Sequence, residues 1–306
     1  MKKFFTYLPI FATLLIGCDD LINPELPQTE EVLVIDAWIT NKQEPQQIRL
    51  TMSQDYFDSS FPTGVAGAEV TVSSSNETFS FTETEAGTYV WTPPVGEVFG
   101  EVGETYTLTV RVNGEEYTSV ASMGRVPKID SVTFRYEEET AFFNESYWGE
   151  FWSRDFPGTG DTYWIRSYKN DSLLNKPAEI NIAYDAGFSK GGKIDDVIFI
   201  PPIRDTVNPF DLDEDDNFLS PYENGDSLYV EIHSINEKAF DFLVNVRVQT
   251  DRPGGFAELF AQPLANVPTN IENTNPGSTK IAQGFFNVAA VEFNGARLDV
   301  TQVPKD

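Results

Sequence analysis

The sequence of 306 residues contains a single cysteine and a single histidine. One cysteine cannot form an intramolecular disulfide, a zinc–cysteine site or an iron–sulfur cluster, and one histidine cannot form a histidine-rich metal centre. Basic residues are scarce as well, because 21 Lys and Arg stand against 48 Asp and Glu, for a net charge of −27. Nucleic-acid binding requires basic side chains that neutralise phosphates, so the composition argues against nucleic acid as a partner.

Signals for catalysis are also few. A Ser-His-Asp triad would have to use His233, and no serine stands in a G-x-S-x-G context. In a strand, His233 shares a face with Tyr229 and Glu231, opposite the apolar residues, which predicts a surface histidine. Pairs of carboxylates carry no information in a chain with 48 acids. We therefore expect no enzymatic activity and no cofactor, with a hydrolase whose site is unrecognised as an alternative.

Only the N-terminus carries a long apolar run, Phe4–Ile16, which is typical of a signal peptide and shorter than the about 20 residues that span a bilayer. Leu15–Cys18 resembles the lipobox of bacterial lipoproteins, in which the chain is cut before the cysteine and acyl chains such as palmitate are attached. The sequence predicts a signal peptide at 1–17 and lipidation at Cys18. An ordinary signal peptide with a chance cysteine is the alternative. Two or more acyl chains would anchor the protein stably.

Patterns along the rest of the chain predict a mainly β fold. Residues 18–30 are polar and predict an extended tether. Residues 31–124 contain short alternating segments, such as Gln47–Met52, and predict an Ig-like or transthyretin-like β-sandwich. Asn113-Gly114 predicts a tight hairpin, because both residues tolerate positive φ.

Residues 125–306 predict a second β-rich domain with one or two helices. The predicted strands are Tyr147–Arg154, Thr162–Tyr168, Ser227–Ile235 and Phe285–Phe293. The first two are joined by a turn-rich loop, Asp155–Asp161. Helical spacing of apolar residues predicts a helix over Asn236–Val248, which Asn236 can cap.

An acidic loop offers a candidate metal site. Asp211, Asp213 and Asp215 stand at positions 1, 3 and 5 of a calcium-loop pattern. Position 6 is Asp216 instead of the turn glycine, and position 12 is Tyr222 instead of a bidentate glutamate. The pattern therefore predicts weak calcium binding at most, and a solvated acidic loop is the alternative.

Aromatic residues are concentrated at residues 142–152, where they indicate either a partner-binding surface or the filling of a β core. A strand buries one face, so either Tyr147 and Phe151 or Trp148 and Trp152 would remain outside. The candidate partner-binding residues are Tyr147, Trp148, Trp152 and, from the acidic loop, Phe218.

Short motifs follow one another in a fixed order along the chain: Val34–Asn41, Ile48–Leu50, Gly67–Val72, Gly87–Tyr89, Gly103–Leu108, Pro127–Ser131, Gly225–Asp226, Asn266–Asn270 and Gly284–Phe286. Together they resemble the Bacteroidota lipoprotein family catalogued as domain of unknown function 4249. The resemblance covers nearly the whole chain after Cys18.

The resemblance implies an outer-membrane lipoprotein, commonly encoded beside a TonB-dependent transporter, with no known catalytic residues. Asp19 and Asp20 resemble the acidic signal that exports such lipoproteins to the cell surface. We therefore expect a surface-facing, lipid-anchored accessory of a TonB-dependent transporter that helps to capture or gate its substrate. A structural or adhesive surface lipoprotein is the alternative.

Overall fold

The computed structural model describes residues 30–55, 58–140, 144–192, 194–213 and 218–305. The predicted signal peptide at 1–17 and residues 18–29 of the predicted tether lie outside the described residues, as do the predicted residues Cys18, Asp19, Asp20, Phe142 and Asp215. The fold is mainly β, as the sequence predicts. No helix in the described ranges is both long enough and apolar enough to cross a membrane.

Sixteen strands and two α-helices are named here in chain order. The strands are β1 (Leu33–Thr40), β2 (Gln46–Met52), β3 (Glu69–Ser73), β4 (Thr78–Glu85), β5 (Thr88–Trp91), β6 (Thr105–Val112), β7 (Glu115–Ser122), β8 (Ile129–Glu137), β9 (Ser146–Ser153), β10 (Thr162–Lys169), β11 (Ser172–Leu174), β12 (Asn181–Tyr184), β13 (Ser227–Ile235), β14 (Glu272–Asn273), β15 (Ala282–Ala289) and β16 (Val291–Arg297). The helices are α1 (Pro201–Asp205) and α2 (Glu237–Thr250), and short 3-10 helices occupy Pro177–Glu179 and Gly255–Phe260.

The first sheet has nine strands in the order β14-β7-β6-β3-β4-β5-β2-β1-β15. Alternation creates its buried face, as in β6, where Tyr106, Leu108 and Val110 point into the core. The sheet curves back on itself, so that β15 also contacts β7. At the predicted hairpin, Asn113 and Gly114 both have positive φ, 52° and 78°, and set the pairing of β6 with β7.

The second sheet has the order β11-β10-β13-β16, with β12 paired to the same edge of β10 as β11. A separate hairpin of β8 and β9 packs Val132 and Phe151 against the core residues of this sheet. The predicted loop Asp155–Asp161 does connect β9 to β10, but these two strands lie in different sheets.

The predicted helix is confirmed as α2. The side chain of Asn236 accepts a hydrogen bond from the backbone N–H of Ala239 at 2.9 Å, which caps the first turn. Phe240 and Leu243 are buried on one face of the helix. This face packs between the two sheets, in a cluster that also holds Phe285 of β15.

The C-terminal region differs from the prediction in two respects. The strand predicted at Phe285–Phe293 is two strands in two sheets, because the chain passes from β15 to β16 at Ala290. The Ala290 N–H donates to Ser234 Oγ at 2.9 Å and holds this crossing point in place. In addition, β14 and β15 pair with β7 and β1 of the first sheet, although both follow the domain boundary that was predicted after residue 124.

Candidate functional site

The aromatic hairpin strand β9 has two distinct faces. Phe151 is fully buried in the core below the hairpin. Trp148 and Trp152 lie on the opposite face and are half-buried, and Tyr147 is half-buried as well. Of the two predicted arrangements, the one with both tryptophans on the outer face is the one that the structure shows.

Other side chains cover this outer face. The ring centroid of Trp148 lies 5.4 Å from that of Phe218, so the aromatic hairpin and the acidic loop meet as neighbours. The Arg204 guanidinium carbon lies 4.1 Å from the ring centroid of Trp152, and Trp152 Nε1 donates to Thr133 Oγ1 at 2.9 Å. Trp148 and Phe218 are therefore neighbours, and the rings of Trp148 and Trp152 already contact other side chains of the protein.

The acidic loop is described only in part, because Asp215 lies outside the described residues. Asp211 forms an ion pair with Lys176, and Leu212 forms an isolated bridge with Phe218 across the loop. Calcium binding at Asp211, Asp213 and Asp215 stays a prediction. Three other aspartates, Asp155, Asp185 and Asp195, converge at a different place in the described ranges.

The prediction of a surface histidine is wrong. His233 is only 4% exposed, and its Nε2 lies 2.8 Å from Oε2 of Glu231, which is 1% exposed. The face of β13 opposite its apolar residues is covered by the turn after β1, where Lys42 Nζ donates to Glu231 Oε1 at 2.6 Å. Strand parity places His233 opposite the apolar residues of β13, but it cannot reveal that a second element covers the polar face.

The pKa values of Glu231 and His233 are both lowered, but for different reasons. Burial raises the pKa of Glu231, but hydrogen bonds and charge from His233 and Lys42 outweigh burial and lower it to about 2. Burial lowers the pKa of His233 below its ordinary value, although the hydrogen bond and charge of Glu231 act in the opposite direction. A Lys–Glu–His network of this kind joins the first sheet to the second, and its carboxylate and imidazole are buried, which favours a structural role.

One cluster of exposed apolar side chains was not predicted from the sequence. It lies at residues 253–264, which we call the apolar segment. Phe256, Leu259 and Phe260 are 78%, 75% and 79% exposed, and Leu264 is exposed as well. The ring centroids of Phe256 and Phe260 lie 5.7 Å apart, so the two rings form one patch. Side chains this large and this exposed usually mark a contact site.

Polar contacts hold the apolar segment against the end of α2. Arg252 Nε donates to Glu258 Oε1 at 2.7 Å, and Arg252 also donates to the backbone oxygen of Gln262 at 2.6 Å. Gln249 Oε1 of α2 accepts from the backbone N–H of Ala265 at 2.9 Å. The segment is therefore tied at its base while its apolar side chains face outward.

A sequence signal for this segment existed. Phe256-Ala-Glu-Leu-Phe260 follows Pro253-Gly-Gly255 and fits no strand, because its apolar residues do not alternate. An apolar run that belongs to neither a strand nor a long helix has few partners inside the fold. Chemically, such a surface can bury apolar area against a partner, and its one carboxylate, Glu258, is paired with Arg252.

Comparison with protein families gives one result that covers most of the chain. The model of the family described as domain of unknown function (DUF4249) matches residues 19–293. No significant match is found among curated proteins or among solved structures. Because the family model spans both sheets, the hairpin and α2, the chain belongs to the DUF4249 family.

Proposed function

We propose that this protein is a lipid-anchored lipoprotein of the outer membrane, displayed at the cell surface, that assists a TonB-dependent transporter in capturing or gating its substrate. It acts by binding and has no enzymatic activity of its own. The lipobox-like Leu15–Cys18, the acidic pair Asp19 and Asp20, and the family resemblance support the location.

The apolar segment is the single observation that carries the binding role. Its one charged side chain, Glu258, is paired with Arg252, so the patch is an uncharged island on a protein with a net charge of −27. Non-obligate interfaces have such a centre, depleted of charge and rich in aromatic side chains, surrounded by a polar rim. An anionic rim would in turn favour a partner with basic groups around the contact.

The anchor makes a modest contact sufficient. A partner in the same membrane meets a tethered protein at a high effective concentration, so weak binding is enough for a persistent complex. Exposed aromatic residues at the centre of an interface contribute about 2 kcal/mol or more each, which corresponds to a factor of about 30 in affinity. Loss of both phenylalanines would therefore abolish capture under ordinary conditions.

The test is co-purification from native membranes. The full-length lipoprotein, tagged at its C-terminus, is extracted in mild detergent, and the proteins that remain bound are identified by mass spectrometry. We expect a TonB-dependent transporter with the wild-type protein and its loss with the double variant Phe256→Ser/Phe260→Ser. The matched control is Phe61→Ser, because Phe61 is 97% exposed but lies in a different loop.

Two results would contradict the proposal. One is the absence of any transporter from the wild-type sample while the lipoprotein is present and folded. The other is equal loss of the transporter in Phe61→Ser and in the double variant, which would show that the apolar segment is not the contact. Capture of extracellular polymers in place of a transporter would favour the adhesive alternative.

A further inference from the structure

Three aspartates from distant parts of the chain meet beside the loop after β9. One carboxylate oxygen from each of Asp155, Asp185 and Asp195 lies within 4.8 Å of the other two. Asp155 and Asp185 are 2% and 1% exposed, and Asp195 is half-buried. Carboxylates are costly to bury, so a buried group of three requires a compensating charge or proton.

Backbone hydrogen bonds fix the positions of the two buried aspartates. The Asp155 N–H donates to the Val197 oxygen at 3.0 Å, and the Asp185 N–H donates to the Asp161 oxygen at 2.7 Å. Asp185 has a positive φ of 50°, a conformation that residues other than glycine seldom adopt, which turns the chain after β12. The positions of Asp155 and Asp185 are therefore built into the fold.

The oxygens of this cluster are only partly satisfied by the protein. Asp155 Oδ1 accepts from the Tyr163 hydroxyl at 2.7 Å, and Asp195 Oδ2 accepts from the Gly158 N–H at 3.2 Å. Their other oxygens, Asp155 Oδ2 and Asp195 Oδ1, are buried and have no hydrogen-bond partner. Buried carboxylate oxygens without a donor are rare in folded proteins, and they indicate a missing ligand.

The Arg125 guanidinium is engaged by another carboxylate. Arg125 pairs with Asp161, with its Nη2 at 2.6 Å from Asp161 Oδ2, and no described Lys or Arg forms an ion pair with the three clustered aspartates. The described side chains therefore do not neutralise the carboxylates of the cluster.

We propose that Asp155, Asp185 and Asp195 form a calcium-binding site. An all-oxygen ligand set selects a hard cation. Calcium binds oxygens at about 2.3–2.6 Å, so ligands on opposite sides of the ion stand up to about 5 Å apart, whereas the about 2.0–2.1 Å bonds of magnesium hold them within about 4.2 Å. Three carboxylate oxygens that all lie within 4.8 Å of one another can contact one calcium ion. Bound calcium would join the loop after β9 to the turns after β12 and before Asp196.

The experiment measures thermal unfolding of the full-length protein in detergent after removal of divalent cations. Melting is recorded without metal, with calcium at about 1 mM, and with magnesium at the same concentration. The variants are Asp155→Asn and Asp195→Asn. The control is Asp213→Asn, which alters the acidic loop at Asp211–Asp215 and leaves this cluster intact.

Calcium is expected to raise the melting temperature of the wild type and of Asp213→Asn, and to do so more than magnesium. In Asp195→Asn and Asp155→Asn the calcium shift is lost, with affinity reduced at least about tenfold. Without metal, Asp155→Asn melts at or above the wild-type temperature, because the variant removes a buried charge that nothing neutralises. Relative to the wild type, Asp155→Asn should therefore melt no lower without metal and lower with calcium. A variant that fails to fold would melt lower in both conditions.

The proposal is overturned if calcium leaves the wild-type melting temperature unchanged. It is also overturned if calcium stabilises Asp195→Asn as much as the wild type, or if the shift disappears only in Asp213→Asn. The last outcome would place the ion in the acidic loop.

Discussion

Removal of the Lys42 ammonium group should destabilise the protein and change its response to acid. The pKa of Glu231 is lowered from an ordinary value of 4.5 to about 2, although burial alone would raise it. A pKa shift of one unit corresponds to about 1.4 kcal/mol, so the interactions that lower the pKa of Glu231 contribute about 3 kcal/mol to the free energy of unfolding at neutral pH. In Lys42→Met the donors His233 and Tyr168 remain, at 2.8 Å and 3.2 Å from Glu231 Oε2. We therefore expect a loss of about 2 kcal/mol at pH 7.

The pH dependence has a definite sign. The folded pKa of Glu231 lies below its unfolded value, so this contribution is complete above about pH 5 and is lost as the pH falls from about 4.5 to 2. The difference between the wild type and Lys42→Met should be largest at pH 7 and smaller at pH 3. Urea unfolding at pH 7, 5 and 3, followed by tryptophan fluorescence, measures this difference.

Two further variants make the test specific. Lys42→Met/Glu231→Gln removes both charges, and we expect it to be more stable at pH 7 than Lys42→Met alone, because no uncompensated buried carboxylate remains. Lys176→Met is the control, since Lys176 pairs with Asp211 at the surface and its loss should change stability by about 0.5 kcal/mol or less. A Lys42→Met protein within 0.5 kcal/mol of the wild type at pH 7, with the same acid response, would refute the reasoning.

Three other predictions concern the anchor and the first sheet. Cys18→Ser should abolish partitioning into a detergent phase, because the sulfur that would carry the lipid is gone; a variant that still partitions without a bound partner would contradict lipidation. Replacement of Asp19 and Asp20 by alanine should leave lipidation intact but reduce cleavage by protease added to whole cells, and equal cleavage would rule out their role in surface export. Gly284→Ala should destabilise the protein by about 2 kcal/mol or more in thermal melting, because φ is 97° and a methyl group would overlap a carbonyl oxygen of β1. Gly277→Ala, with positive φ but open space around it, should cost less, and equal costs would disprove the steric argument.

Local patterns predicted most elements of this fold. The alternation in β2, β6 and β13 and the helical spacing in α2 each identify an element whose own residues determine one buried face. The hairpin at Asn113-Gly114 was predictable for the same reason, since its backbone conformation depends on those two residues. Information of this kind lies within a few neighbouring positions.

The errors concern relations between distant segments. Continuous β propensity from Phe285 to Phe293 hides the crossing at Ala290, because a strand that changes sheet keeps its apolar character on both sides. The burial of His233 depends on Lys42, and the aspartate cluster depends on three separate loops. No periodicity in the sequence encodes such contacts between distant segments, so the candidate calcium site could not be predicted from the spacing of its residues.

The parallel pairing of β1 with β15 has a consequence for the order in which the protein can fold. Leu33 pairs with Ala282, and Thr40 pairs with Ala289. The first strand, β1, can therefore complete its pairing only when β15, the second-last strand, is present. A chain that emerges N-terminus first can form the β6–β7 hairpin early, but β1 keeps an open edge until the C-terminal segment arrives. A truncation before residue 282 would therefore leave that edge of β1 free to pair with other chains.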